Sequence, residues 1–168
     1  MILSRTVLLL LGAALVACRP EKEPDPEAAP LMTFDTARVR IVSRSDTIPV
    51  LVELARTPEQ KTMGLMERGQ LADGSGMLFL YAADQPGTAG FWMFRTKIPL
   101  DIAFLDSAGV IQSIRNMVPC TTATAAQCPT YTPDVPYRAA LEMSEGFFQR
   151  RQVRLGDRVL LGDTVRAR

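Results

Sequence analysis

The sequence contains no histidine, and this absence excludes several kinds of site at once. Zinc, iron and copper sites usually take imidazole ligands, and most nucleophile–histidine arrangements need imidazole as the base. Any catalysis would therefore depend on carboxylates, lysine, tyrosine or an unassisted hydroxyl group. The composition favours a protein that is not an enzyme, and we expect no cofactor and no metal.

The net charge is also close to zero, because 19 lysines and arginines stand against 18 aspartates and glutamates. Such a balance gives no global electrostatic attraction to nucleic acid, and we expect no nucleic-acid partner. With 168 residues, 47% of them hydrophobic and 22% charged, the chain has the composition of one globular domain with a tail.

Residues 1–17 contain Arg5 and a short apolar run. The run is too short to span a membrane and is typical of a secretory signal peptide. Its end, Leu15-Val-Ala-Cys18, resembles the lipobox of bacterial lipoproteins. The resemblance implies cleavage before Cys18, acylation of that residue, and a membrane as partner; the alternative is a plain secreted protein. Arg19 stands where the inner-membrane retention signal has aspartate, so we expect the outer membrane, facing the periplasm.

Residues 18–36 are rich in proline and glutamate. A segment of this composition buries too little apolar surface to fold by itself and tends to be extended. We therefore predict a tether over residues 18–36 and a single β-rich domain over residues 37–168.

Short apolar segments separated by turn residues fill the domain, and they predict eight or nine strands. The expected fold is mostly β, an antiparallel β-sandwich or barrel-like domain of the jelly-roll type with one or two short helices. Thr57-Pro-Glu-Gln60 has the pattern of a capping box and predicts a helix that runs to about Arg68. A second helical element is expected at 146–151. The strands are expected at 38–43, 48–55, 77–81, twice within 90–106, at 110–115, 137–143, 157–161 and 164–166.

Cys120 and Cys128 lie in a long loop, residues 117–136. Two cysteines in an exported chain whose third cysteine is acylated predict a disulfide. Closing so short a loop would stabilise the fold by about 2.5 kcal/mol on the chain-entropy account. The alternative is a redox pair, although redox motifs favour two intervening residues beside the start of a helix.

Several separate blocks of the domain agree in order and spacing with one family. They are Val52-Glu-Leu-Ala55, Thr57-Pro58, Gly64-Leu-Met-Glu-Arg68, Gly76-Met-Leu-Phe79, Phe91-Trp-Met93, Ile98-Pro-Leu-Asp-Ile102, Phe104-Leu-Asp106, Leu141-Glu142 and Gly156-Asp157. They resemble the bacterial and archaeal family called domain of unknown function 192, over about residues 38–166. The resemblance implies a compact β-sandwich with a small helix and implies no established activity. The family usually has Asn-Thr after the Trp-Met strand, where this chain has Arg95-Thr96.

One group of candidate site residues lies in the segment 90–106. Its members are Trp92, Arg95, Lys97, Asp101 and Asp106. They could line a concave face, with the indole stacked on a sugar and the charged groups bonded to its hydroxyls. The alternative interpretation is that the tryptophan belongs to the core and that Lys97 with Asp101 stabilises a corner.

A second group consists of Glu53, Arg68 and Glu142, which are ionisable residues inside or beside apolar runs. Arginine–carboxylate pairing is the structural explanation and a binding pocket is the functional one. Asp101 with Glu142 could in principle run glycoside hydrolysis. Five methionines could also form a thioether site for Cu(I), although methionine in apolar segments usually serves packing. They are Met63, Met66, Met77, Met93 and Met117.

These patterns together predict a lipoprotein of the cell envelope. Its domain is expected to be a non-catalytic binding module for a saccharide, a peptide or an envelope protein, acting through the segment from Trp92 to Asp106. One alternative is a small carboxylate-dependent enzyme that acts on envelope glycans, and another is a purely structural domain without a ligand.

Overall fold

The computed structural model describes residues 32–162 and Val165. The predicted signal peptide, Cys18 and the tether up to residue 31 lie outside the described residues, as do Thr164 and Arg166 of the predicted last strand. No helix in the described ranges is long and apolar enough to cross a membrane.

Nine strands and two short α-helices make up the described part of the chain. The strands are β1 (Asp35–Val42), β2 (Thr47–Ala55), β3 (Ser75–Gln85), β4 (Phe91–Trp92), β5 (Leu100–Leu105), β6 (Ile111–Met117), β7 (Thr130–Tyr131), β8 (Tyr137–Ser144) and β9 (Arg158–Leu160), and the helices are α1 (Pro58–Met63) and α2 (Phe147–Arg150). The prediction of a mostly β domain with one or two short helices is therefore confirmed.

Seven strands form one sheet in the order β6-β5-β8-β3-β2-β1-β9, and β4 with β7 forms a small second sheet. The pairs are antiparallel except β2 with β3, which run parallel from Leu51↔Ser75 to Ala55↔Phe79. This pair differs from the antiparallel arrangement that the sequence predicts, because α1 lies in the connection and the chain crosses over before entering β3. Parallel neighbours need a crossover of this kind.

The seven-stranded sheet curls until its two ends meet. The amide of Ile111 donates to the carbonyl of Asp157 at 2.8 Å, and the amide of Val159 donates to the carbonyl of Gly109 at 2.8 Å. These bonds join the start of β6 to β9, at the opposite ends of the strand order. The barrel-like alternative within the predicted fold class describes this arrangement.

Each face of the sheet carries its own hydrophobic cluster. The inner cluster lies within the curl and takes residues from β1, β2 and β9 as well as Phe147 and Phe148 of α2. The outer cluster covers the opposite face of β3, β5 and β8 and includes Leu65, Met93 and both cysteines of the long loop. Because side chains alternate along a strand, β8 contributes Leu141 to the inner cluster and Ala140 to the outer cluster.

Helix α1 begins with the predicted capping box. Thr57 accepts a hydrogen bond from the amide of Gln60 at 3.2 Å, and Gln60 Oε1 accepts one from the amide of Thr57 at 3.1 Å. The helix ends at Met63, so the predicted extension to Arg68 is wrong. Gly64 ends it by taking a φ of 47°, a conformation that side-chain-bearing residues rarely adopt.

The predicted disulfide between Cys120 and Cys128 is present, with a Cα–Cα distance of 5.7 Å. The loop that it closes contains a single 3-10 turn, Ala125–Gln127. Immediately after it, β7 pairs with β4, so that Phe91 faces Tyr131 across the small sheet. The disulfide loop is thereby attached to the segment that carries Trp92.

Candidate functional site

The candidate site is a cavity of about 190 Å³ on the outer face of the sheet. Its walls come from the end of α1 with the following turn (residues 61–66), from β3, and from residues 90–96 around β4. Its aromatic lining consists of Phe79, Tyr81, Phe91 and Trp92, and Glu142 of β8 also lines it. Drug-sized ligands occupy cavities of roughly 300–1,000 Å³. A cavity this small therefore fits one group of a ligand and not a large ligand as a whole.

Glu142 is buried to an exposed fraction of 4%. Its neighbours across the sheet are Met77 on β3 and Ile102 on β5, both apolar. None of the described residues donates a hydrogen bond to its carboxyl group. Burial raises the pKa of Glu142 to about 8, because the charged form is poorly solvated there. The carboxyl group is thus mostly protonated at neutral pH.

Interlocking aromatic rings support the cavity. Phe79 and Phe91 meet edge to face with ring centroids 4.9 Å apart, and Phe91 meets Phe104 in the same way at 5.7 Å. Tyr81 and Tyr137 form another edge-to-face pair at 5.6 Å. Aromatic pairs of this geometry add stability beyond the area they bury. These ring contacts therefore stabilise the aromatic side of the cavity.

Lys61 is the cation closest to this aromatic cluster. Its Nζ donates to the carbonyl of Arg56 at 2.6 Å and lies 4.6 Å from the centre of the Tyr81 ring. Burial lowers the pKa of Lys61. Burial also raises the pKa of the Tyr81 phenol, and the neighbouring Tyr137 raises it further. The tyrosine is therefore neutral across the physiological range, and the lysine is held by a backbone carbonyl and a ring face.

Two loops that border the cavity are joined through Glu67. Its carboxylate contacts Arg95 Nε and Lys97 Nζ, each at 2.7 Å. The hydrogen bonds from these cations lower the pKa of Glu67, and Lys97 has the larger effect. The amide of Glu67 also donates to the carbonyl of Arg95 at 2.8 Å. Both residues have positive φ, 61° and 58°. Asparagine, which the resemblance places at this position, adopts the left-handed conformation of Arg95 more readily than other side-chain-bearing residues.

The structure brings part of the first predicted group together. Trp92 is 46% exposed at the rim of the cavity, so the interpretation of this residue as core is wrong. Arg95 and Lys97 are brought together by their shared contact with Glu67, which replaces the alternative pairing of Lys97 with Asp101. Among these three residues, only Trp92 is part of the cavity lining.

Asp101 and Asp106 lie elsewhere. Asp101 is buried and accepts a hydrogen bond from Asn116 at 3.1 Å, and it lines a different cavity. Asp106 holds the β5–β6 turn, accepting from the amides of Ala108 and Val110 at 2.9 Å each. Neither aspartate joins the tryptophan, because strand register places them away from it.

In the second group, Arg68 bonds Glu53 at 2.6 Å, as the structural explanation predicts. Glu53 pairs with Met77 on β3, and Met77 pairs with Glu142 on β8. Residues that pair across strands share a face of the sheet, so both glutamates lie on the outer face. The ion pair thus stands beside the cavity, separated from Glu142 by one strand.

The two carboxylates considered for glycoside hydrolysis point to opposite faces of the sheet. Ile102 is paired with Glu142 and belongs to the outer cluster, so its neighbour Asp101 faces the other way. Of the methionines considered for Cu(I), Met77, Met93 and Met117 are buried in the outer cluster, which agrees with packing. Among the described residues, no group of histidine, cysteine, aspartate or glutamate is arranged to hold a metal ion.

Five residues that line or border the cavity were not predicted from the sequence as site residues: Lys61, Glu67, Phe79, Tyr81 and Phe91. The alternation of Met77, Phe79 and Tyr81 along β3 was a usable signal, since residues two apart share a face. No comparable signal exists for Glu67, which reaches its partners through a turn.

Residues 40–161 match the family model for domain of unknown function 192, described as "Uncharacterized ACR". The chain belongs to this family. Two solved structures resemble this member of the domain of unknown function 192 family closely. One, from Sinorhizobium meliloti, is described as a "putative transcription regulator"; it is 35% identical with a TM-score of 0.69, over 77% of this chain and 95% of that one. The other, a protein of unknown function from Novosphingobium aromaticivorans, is 31% identical with a TM-score of 0.68, over 83% and 94%. No curated protein matches the chain.

Proposed function

We propose that this member of the domain of unknown function 192 family is a non-catalytic binding module of the cell envelope, and that its ligand places one group in the Glu142 cavity. The observation that carries the proposal is Glu142 itself, an ionisable side chain that is 4% exposed, lines a cavity and has no hydrogen-bond donor among the described residues. An ionisable group in a cavity whose pKa is strongly shifted by burial is a candidate for a functional site.

The position of Trp92 supports a binding role. Large aromatic side chains at a cavity rim supply contact area for sugars, peptides and protein partners at low entropic cost. Trp92 is held there because β4 pairs with β7, directly after the disulfide. The disulfide and the hydrogen bonds between β4 and β7 therefore fix this part of the rim, which favours binding without a large rearrangement.

Hydrolysis is the weaker candidate. Glycoside hydrolysis needs two carboxyl groups that flank the same bond, about 5–10 Å apart. Glu142 and Asp101 line different cavities on different faces. Glu53, which lies on β2 and on the same face of the sheet as Glu142, forms an ion pair with Arg68.

The location of the module is part of the proposal. The lipobox-like end of the leader at Cys18 and the proline- and glutamate-rich segment after it support a lipid-anchored domain on a short tether. An anchored module that faces the periplasm would meet peptidoglycan fragments, envelope peptides and envelope proteins. Incorporation of labelled fatty acid into the wild-type chain, and its loss in Cys18→Ala, tests this part.

A binding screen tests the site. The full chain, purified in a nonionic detergent, is titrated with peptidoglycan fragments, envelope glycans and short peptides, and the emission of Trp92, the only tryptophan, is followed. We expect a saturable shift that Glu142→Gln weakens and that Glu145→Gln, an exposed control three residues away, leaves unchanged. A shift that is equal in all three proteins would place the ligand outside the cavity and contradict the proposal.

A further inference from the structure

We propose that the cavity selects an alkylammonium group, held between the carboxylate of Glu142 and the rings of Phe79, Phe91 and Trp92. This rests on the proposed function, since it names the chemical class that the same cavity accepts. An amino sugar and the amine of a peptide both carry such a group, so the inference concerns their shared chemistry.

The first argument is that Glu142 has no cationic partner among the described residues, whereas the nearby carboxylates Glu53 and Glu67 form ion pairs. Glu53 has Arg68 at 2.6 Å, and Glu67 has Arg95 and Lys97 at 2.7 Å each. No described cation forms an ion pair with Glu142. A buried carboxylate is stable only when it is paired and hydrogen-bonded. An ammonium group on a ligand supplies the opposite charge and the hydrogen bonds together, because it carries up to three donors.

The second argument is the aromatic lining. Cations are attracted to ring faces within about 6 Å of the ring centre, most strongly to the face of tryptophan. Phe79, Phe91 and Trp92 line the same cavity as Glu142. The combination of ring faces with a single buried carboxyl group suits a small organic cation better than a neutral hydroxyl group, which gains little from a ring quadrupole.

The charged and titratable groups near Glu142 are few. Tyr81 of β3 and Tyr137 of β8 stay neutral, because burial raises the pKa of each phenol. Lys61 of α1 also lines the cavity, but its Nζ is bonded to the carbonyl of Arg56 and lies against the Tyr81 ring. Lys61 therefore weakens the attraction for a ligand cation without neutralising Glu142.

Binding of an ammonium group is coupled to loss of a proton from Glu142. The free cavity holds the protonated acid at neutral pH, since burial raises the pKa of Glu142 to about 8. The cation binds the carboxylate, and the proton leaves to solvent. The affinity for an alkylammonium ligand should therefore rise with pH until Glu142 is ionised, whereas the affinity for a neutral ligand should not.

Three small probes of similar shape separate the possibilities in the wild-type chain. The full chain in a nonionic detergent is titrated with n-butylammonium, n-butanol and butyrate at pH 6, 7, 8 and 9, again with Trp92 emission as the readout. The Kd of n-butylammonium is expected to fall about 50-fold from pH 6 to pH 8 and to level off above pH 8. The Kd of n-butanol should stay constant, and butyrate should bind more weakly as the pH rises.

Two variants and a control sharpen the test. Glu142→Gln should abolish the pH dependence and the preference for the cation, and Lys61→Met should strengthen the binding of n-butylammonium several-fold. Glu145→Gln should behave as wild type. The comparison of probes in the wild-type chain remains decisive even if a variant fails to fold.

The outcomes separate this inference from the proposed function. If n-butanol or butyrate binds more tightly than n-butylammonium at pH 8, the cation preference is overturned and the binding module stands. The same holds if a glycan or peptide shifts Trp92 emission while n-butylammonium does not. If no probe, glycan or peptide produces a shift, both proposals fail.

Discussion

The two faces of the central sheet are built from the same strands and differ in what they bury. The inner cluster consists of hydrophobic side chains, with Phe147 and Phe148 closing it from α2. The outer cluster is rich in aromatic residues, contains the disulfide, and surrounds a cavity that holds a buried glutamate. Strand β8 serves both, since Leu141 faces inward and Glu142 faces outward.

This difference separates the residues that stabilise the fold from those available for function. The inner face gains stability from dense apolar packing, and the carboxylate buried at its edge, Asp101, accepts a hydrogen bond from Asn116. The outer face keeps an unpartnered carboxyl group and an open space beside it, which weakens its packing. If the proposed binding site is correct, stability and ligand binding depend on opposite sides of one sheet, so mutations on the two faces should have different effects.

The largest effect is expected inside the curl. Leu141→Ala removes a fully buried side chain and should lower the free energy of unfolding by about 3 kcal/mol, because the inner cluster cannot close the space that remains. Chemical denaturation measures the change. Leu51→Ala, at a position 46% exposed, is the control and should change it by less than about 0.5 kcal/mol. Equal losses at both positions would show that the inner face is not the stabilising one.

Removal of the disulfide tests the outer face at its edge. The double variant Cys120→Ala, Cys128→Ala should lose about 2.5 kcal/mol, because the cross-link closes a loop with a sequence separation of 8. Thermal unfolding with and without a reductant gives the value. Reductant should destabilise the wild-type chain and leave the double variant unaffected. If the variant also weakens ligand binding, the loop contributes to the rim through β7.

The pH dependence of stability isolates Glu142. Its pKa is raised from 4.5 to about 8 in the folded chain, so the folded state binds more protons than the unfolded state between these values. Below about pH 4.5 Glu142 therefore does not change the free energy of unfolding. As the pH rises above 4.5 this free energy falls, and the destabilisation by Glu142 is complete above about pH 8.

Between pH 6 and pH 8 this group should lower the free energy of unfolding by about 2 kcal/mol. Denaturation of the wild-type chain and of Glu142→Gln over this range measures the difference. The two curves should diverge as the pH rises, with the variant the flatter one. Parallel curves would mean that Glu142 is ionised and solvated in the folded protein.

The smallest effect is expected at Arg95, where backbone and side chain oppose each other. Arg95→Asn removes an exposed ion pair worth at most about 1 kcal/mol and relieves the left-handed backbone. Arg95→Ala removes the same ion pair without the relief. The asparagine variant should therefore be more stable than the alanine variant by about 1 kcal/mol, measured by denaturation. No difference between them would show that the conformation at this position is unstrained.

Local patterns in the sequence predicted most of the fold. The alternation of side chains located the strands, the capping box located the start of α1, and the cysteine count predicted the disulfide. What local patterns do not contain is the pairing of distant strands. The position of β8 between β5 and β3 depends on contacts across the whole domain, and register decides which face each side chain occupies.

The candidate site shows the same division. Glu142 and Trp92 stand out in the sequence, one as a charge within an apolar strand and the other as the only tryptophan. From the sequence alone, the aspartates of the segment 90–106 are equally good candidates, because proximity along the chain does not show that successive strand residues face opposite sides. Lys61 and Phe79 reach the cavity only through the β2–α1–β3 crossover, which places the turn after α1 over the outer face.

The place of β8 in the strand order also determines how the molecule can fail to fold. This strand comes late in the chain yet supplies the shared neighbour of β3 and β5. Until it arrives, β1, β2 and β3 cannot be joined to β5 and β6, and each group presents an unpaired edge to solvent. Such edges are templates for pairing between chains. Non-local pairings of this kind also slow folding. A chain interrupted before residue 137 should therefore aggregate instead of forming a smaller stable domain, and a chaperone that covers strand edges would be needed most during this interval.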